Sequence, residues 1–203
     1  MPKSPREKPN SLVPFEYVVG NPEAWQEVAH DLVGCANILL DAALERKQLQ
    51  WLAGARGSVS FRVVMMLYGF AAENLIKAII VAKNPICGPL FPVSKGTLVG
   101  RFANHNLPEL VKEAGLGVSA SQEHLLKRLK EFIECGKYPV GRREGEGRAT
   151  QVSFGALDWS DVLQLLGYLE EELQRASGGL VAAHPDLRGI HRVCPRRGPA
   201  GYG

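Results

Sequence analysis

From Ser58 to Asn84 the chain reads SVSFRVVMMLYGFAAENLIKAIIVAKN, a run too apolar for a surface element and interrupted by Arg62, Glu73, Asn74 and Lys77. Only ten residues separate Arg62 from Glu73, about half of what a membrane span needs. The pattern therefore predicts the buried central helix of a soluble bundle. At about 100° per residue, Arg62, Met66, Gly69, Glu73, Lys77 and Ile80 fall in one stripe about 80° wide, leaving the rest of the circumference for core.

The flanking segments organise around that helix. Asn21-Pro22-Glu23 supplies an N-cap, a proline at the first helical position and an acid in the first turn. An amphipathic helix is expected from Glu23 to about Leu52, with Trp25, Val28, Leu32, Leu39 and Leu40 on its apolar stripe. Gly54-Ala-Arg-Gly57 breaks it and Ser58 caps the next helix, so a short turn predicts an antiparallel helical hairpin. Pro85 to Asn104 is rich in Pro and Gly and lacks a period, which reads as a crossover loop. Asn106 with Glu109 gives a capping-box pattern for a short helix over Leu107 to Ala114, stopped by Gly115. Ser119 with Gln122 repeats the device before a longer helix carrying Leu125, Leu126, Leu129, Phe132 and Ile133 and ending at Gly136. After a charged loop over 137–157, Asp158 caps a last helix with the apolar seam Trp159, Val162, Leu166, Leu169 and Leu173.

The expected fold is all-α, an antiparallel bundle of four to five helices over residues 21–177. A flexible arm over 1–20 precedes it and a disordered basic Gly/Pro/Arg tail over 178–203 follows. No stretch alternates long enough to predict a sheet.

Charge refines this picture. The net charge is +3, but residues 1–20, 136–157 and 178–203 together hold an excess of six positive charges, so the other segments carry an excess of three negative ones. The excess of positive charge lies in segments that are also rich in Gly and Pro. They suit weak contact with a polyanion, and equally well a solubilising role. Cys35, Cys87, Cys135 and Cys194 are widely spaced with no CxxC pair, which argues against a disulfide framework or a zinc site. With a polar, proline-broken N-terminus, the expectation is a reducing cytoplasm and no membrane.

YGFAAENLIKAIIVAKNP, then HNLPELVKEAGL, then a helix closing on GKYPV resemble, in order and spacing, the HEPN domain. The resemblance spans about residues 23–175. It implies an antiparallel helical bundle that often forms a homodimer. It also implies a role as an RNase, as a nucleotide- or RNA-binding module, or as the partner of a nucleotidyltransferase in toxin–antitoxin or defence systems.

The RNase branch of that family is implied to use an Arg followed, after four to six residues, by a His that moves a proton at the 2′-hydroxyl. Arg101 precedes His105 with three residues between, Arg188 precedes His191 with two, and His30, His124 and His184 have no Arg at the required offset. Arg101 and His105 are the nearest approach to a catalytic pair, and they stand before the short third helix rather than a late one. The expectation is a non-catalytic module with neither metal nor cofactor.

Its ligand-binding candidates are Glu73, Lys77, His105, Lys137, Tyr138, Arg142 and Arg143. His105 at a helix entry can approach a phosphate beside exposed backbone N–H groups, or simply make a local capping contact. Glu73 and Lys77, four apart on a half-buried stripe, can face a ligand or form a structural ion pair. Lys137, Tyr138, Arg142 and Arg143 set an aromatic among cations, as in loops that stack bases and hold phosphates, although Glu144 and Glu146 also fit a solvated loop. The competing function is a structural interaction protein that docks through the seam of the last helix. No phosphate-binding glycine loop, HExxH or nucleophile elbow is present.

Overall fold

The computed structural model describes residues 18–45, 59–84, 93–94, 97–98, 100–137 and 158–180. Five α-helices account for most of them: α1 (Pro22–Glu45), α2 (Val59–Lys83), α3 (Leu107–Glu113), α4 (Ala120–Lys137) and α5 (Asp158–Ala176). A 3-10 turn, Gly100–Ala103, leads into α3. A two-residue antiparallel ladder pairs Val93 with Leu98 and Ser94 with Thr97, too short for any alternating pattern to announce it.

The bundle is all-α and α2 is its centre, in contact with each of the other four helices. Tyr68, Ala71, Leu75, Ile76 and Ile79 on α2 are completely buried. By length and composition Phe61–Lys83 is apolar enough to cross a membrane, yet most of it is buried inside the bundle. Trp25 near the start of α1 meets Lys77 late in α2, while Asn37 meets Tyr68. As numbers rise along one helix they fall along the other, so α1 and α2 form the antiparallel hairpin. Residues 46–58, with the expected helix extension to Leu52, the Gly54–Gly57 break and the Ser58 cap, lie outside the described residues.

The expected polar stripe on α2 proves to be two different surfaces. Arg62 is exposed, but Gly69 packs against α4, where an added Cβ would stand 3.0 Å from Ile133 and 3.2 Å from the Leu129 carbonyl. Glu73, Lys77 and Ile80 are buried. The wheel reads one helix at a time and cannot register the neighbours that cover half the stripe.

Local chemistry explains most helix ends. The Glu23 amide donates to Asn21 Oδ1 at 3.0 Å, which is the cap expected for α1. Ser119 and Gln122 bond reciprocally: the Ser119 amide donates to Gln122 Oε1 at 2.8 Å and the Gln122 amide to Ser119 Oγ at 3.2 Å. Gly115, with φ +62°, closes α3 by a double bond pattern, Leu116 N–H to Val111 O and Gly115 N–H to Lys112 O, each 3.1 Å.

Two expectations fail. Asn106 makes no side-chain cap; Asn104 Oδ1 accepts the Asn106 amide at 3.0 Å and Asn104 Nδ2 reaches Glu109 Oε2 at 3.2 Å. Asn104, two residues earlier, instead forms a turn that takes the Asn106 amide at the helix entry. Gly136 does not end α4, which continues through Lys137.

The seam of α5 is interior: Val162, Leu166, Leu169 and Leu173 are wholly buried. A partner cannot dock there without opening the bundle, so the interaction reading loses the surface first assigned to it. The expectations for residues 1–17 and 181–203 and for the 138–157 loop lie outside the described residues.

Candidate functional site

Three of the candidates, Glu73, Lys77 and His105, converge. A lysine ammonium removed from water needs several acceptors to offset desolvation, and Lys77, whose side chain is only 4% exposed, has them. Its Nζ lies 2.5 Å from Glu73 Oε1 and 2.8 Å from the Phe102 carbonyl oxygen. It also stands 5.5 Å from the centroid of the Trp25 ring, within the range of a cation–π contact. Trp25 is fixed in turn by its indole N–H donating to the Val19 carbonyl at 2.8 Å, and it packs against Phe102 at 5.7 Å between centroids. Three parts of the chain therefore surround one ammonium: the start of α1, α2 itself and the 3-10 turn.

Glu73 serves both sides of this arrangement. Its Oε1 takes Lys77, and its Oε2 lies 2.8 Å from His105 Nδ1. The His105 ring also stands edge-on to Phe70 at 5.9 Å. The carboxylate is 5% exposed and the imidazole side chain 40% exposed. A buried acid thus holds the inner edge of a ring whose body reaches the surface, which fixes its orientation and the tautomer of its inner nitrogen.

Of the two readings open for Glu73 and Lys77, the structure has the structural ion pair, and the stripe is buried rather than half-buried and ligand-facing. Both side chains are committed inside the protein. The expected cradle of free amides beside His105 fails too. The Asn106 amide donates to Asn104, the Leu107 amide to the His105 carbonyl at 3.1 Å and the Glu109 amide to the Asn106 carbonyl at 3.0 Å, while Pro108 has none to give.

The other candidates do not join this group. Arg101 lies in the 3-10 turn and Lys137 closes α4, but only their backbones are described. Tyr138, Arg142 and Arg143 are outside the described residues.

A second buried polar cluster escaped the sequence reading. Glu170 on α5, 5% exposed, accepts from Gln26 Nε2 at 2.8 Å through Oε2 and meets His30 Nε2 at 2.6 Å through Oε1. Both carboxylate oxygens are engaged, and α5 is tied to α1. A signal existed: at 100° per residue Glu170 falls only about 40° from Leu166, at the edge of the seam. Among the described residues no buried side-chain polar atom lacks a partner, and no three His, Cys, Asp or Glu side chains assemble as metal ligands.

Chemically, the first cluster is a compensated ion pair with an oriented imidazole attached. Lys77 balances Glu73, so a proton on His105 leaves the group with one net positive charge and its loss leaves none. Comparison with protein-family models, with curated proteins and with solved structures returns no match for this chain.

Proposed function

We propose that this chain is a non-catalytic binding module of HEPN-like design that associates with a nucleotide or RNA, His105 being its described contact residue. One observation carries the reading: an imidazole with 40% of its side chain exposed is held at 2.8 Å by a buried carboxylate. Lys77 already offsets that carboxylate, so the ring is not the sole counter-charge of Glu73 and its surface edge suits an incoming phosphate. Lys137, Tyr138, Arg142 and Arg143 remain part of the proposed surface as sources of stacking and charge. The proposal extends to a homodimer in a reducing cytoplasm, working beside a nucleotidyltransferase in a toxin–antitoxin or defence setting. Arg101 and His105 lack the family's RNase spacing, which favours binding over cleavage.

The test is fluorescence anisotropy of labelled single-stranded RNA, and of labelled ATP and GTP, at two salt concentrations, with RNA integrity followed on a gel. Affinity for intact RNA or nucleotide is expected to fall with salt as counterions are released. His105→Gln, which keeps a polar side chain but cannot become cationic, is expected to weaken binding roughly ten- to a hundredfold, the worth of one charged hydrogen bond. Absence of binding at tens of micromolar protein would sink this reading in favour of an interaction protein. Cleavage of the RNA that His105→Gln abolishes would restore the RNase reading.

A further inference from the structure

The outer side of α1 is built like an interface. Val28 is 49% exposed, Ile38 70% and Leu39 39%, and Cys35 between them is exposed. At 100° per residue these four fall within about 100° of arc, extended by Ala24 and Ala42 to a stripe about 27 Å long. The core side of the helix is elsewhere, at Ala29, Val33, Ala36 and Leu40. Scattered exposed apolar residues are ordinary, but several aligned along one face of one helix are not.

Charge says what fits beside it. Asp31 lies within the stripe, and Glu23, Glu27 and Asp41 border it on one side; all four are exposed. The helix contains no Lys or Arg, and none of these four acids forms an ion pair with a described residue. Glu23 and Glu27, four apart, repel each other. A nucleic acid or an anionic membrane is repelled by this border. A second copy pairing α1 on α1 would set like charges together. A long straight stripe with an acidic edge matches a helix carrying leucines at i, i+3, i+4 and i+7 flanked by lysine or arginine.

We propose that the outer face of α1 docks a basic amphipathic helix of a partner protein, Val28, Ile38 and Leu39 giving the apolar contact and Glu27, Asp31 and Asp41 selecting its charge. This face shares no residue with the His105 cluster, so the proposal stands independently of nucleotide or RNA binding.

The test uses the full chain and two labelled synthetic peptides of eighteen residues. One is a leucine–lysine amphipathic helix; its twin has every lysine replaced by glutamate. Binding of the basic peptide at micromolar concentration, at least tenfold tighter than its twin and weakened by salt, is expected. Ile38→Asp and the pair Glu27→Lys with Asp31→Lys are each expected to lower affinity at least tenfold while leaving helical circular dichroism unchanged, since these side chains are exposed. Equal binding of the two peptides, or indifference to both variants, would overturn the proposal. So would a protein that sediments as a dimer and becomes monomeric with Ile38→Asp, which would make the occupant a second copy. Tighter binding by a free peptide of residues 181–203 than by the generic helix would also overturn it, in favour of the chain's own C-terminal segment.

Discussion

Lys77 Nζ and Glu73 Oε1 stand 2.5 Å apart on successive turns of α2, with side chains only 4% and 5% exposed. An ion pair placed so deeply costs several kcal/mol per ion in desolvation, and its attraction only roughly repays that cost. Its net worth is small, but the penalty for breaking it is large. Lys77→Met is therefore expected to destabilise the protein by about 3–5 kcal/mol, because Glu73 stays buried without its main counter-charge. Replacing both residues, Glu73→Leu with Lys77→Met, should recover much of the loss by removing both buried charges. Urea unfolding of the two single variants and the double variant measures the coupling. Additive losses would mean that the pair does not act as a unit.

Tyr68 has no exposed surface and donates its hydroxyl hydrogen to Asn37 Oδ1 at 2.6 Å. Burial, with the negative charge of Asp41 adding to it, pushes the phenol well above the ordinary tyrosine value of 10.0. In the unfolded chain the same group ionises near its ordinary value. Above about pH 10 the unfolded state therefore loses a proton that the folded state keeps, and stability falls as pH rises from there towards the folded value. Tyr68→Phe should cost about 1 kcal/mol at neutral pH through the lost hydrogen bond. The variant escapes this alkaline loss, which for the wild type reaches about 1.4 kcal/mol by one unit above the ordinary value. Denaturation midpoints at neutral pH and at about pH 11 should show the gap closing or reversing. A constant gap would mean that the phenol ionises alike in both states.

What the sequence made legible is what local chemistry decides. The Asn21 cap, the Ser119–Gln122 box and the Gly115 stop each depend on groups within a few residues of one another, and all three form. The seam of α5 was legible because four or five apolar positions at helical spacing have few alternatives to a core. The choice of Asn104 over Asn106 was not, since both are asparagines at the same entry and the path of the chain from the 3-10 turn selects between them. The burial of Lys77 was hidden for a different reason. Its stripe on α2 is narrow and polar, and only Trp25 and Phe102, brought from other parts of the chain, convert it from a surface into an interior. Glu170 and Gln26, 144 residues apart, meet only in the assembled bundle. Of the candidate site, Glu73, Lys77 and His105 were legible as separate candidates, but their convergence and its division into an internal pair and one surface imidazole required the packing.

Gly69 and Gly34 separate helix propensity from packing. Both sit inside helices, where glycine costs about 1 kcal/mol relative to alanine. A Cβ at Gly34 on α1 would meet nothing within 4 Å, whereas at Gly69 on α2 it would stand 3.0 Å from Ile133 Cγ1 and 3.2 Å from the Leu129 carbonyl oxygen. The side chain of Ile133 can give way by a rotation, but a backbone oxygen of α4 moves only with its helix, and such overpacking costs about 1–3 kcal/mol. Gly34→Ala is therefore expected to stabilise the protein by about 0.5–1 kcal/mol, the propensity gain alone. Gly69→Ala should be neutral to destabilising by up to about 2 kcal/mol, and Gly69→Val worse, because a branched side chain adds contacts where none fits. Thermal or urea unfolding of the three variants checks the order. If Gly69→Ala stabilised as much as Gly34→Ala, α2 and α4 would not approach as closely as the structure has them, and the tight contact that seats the central helix would lose its basis.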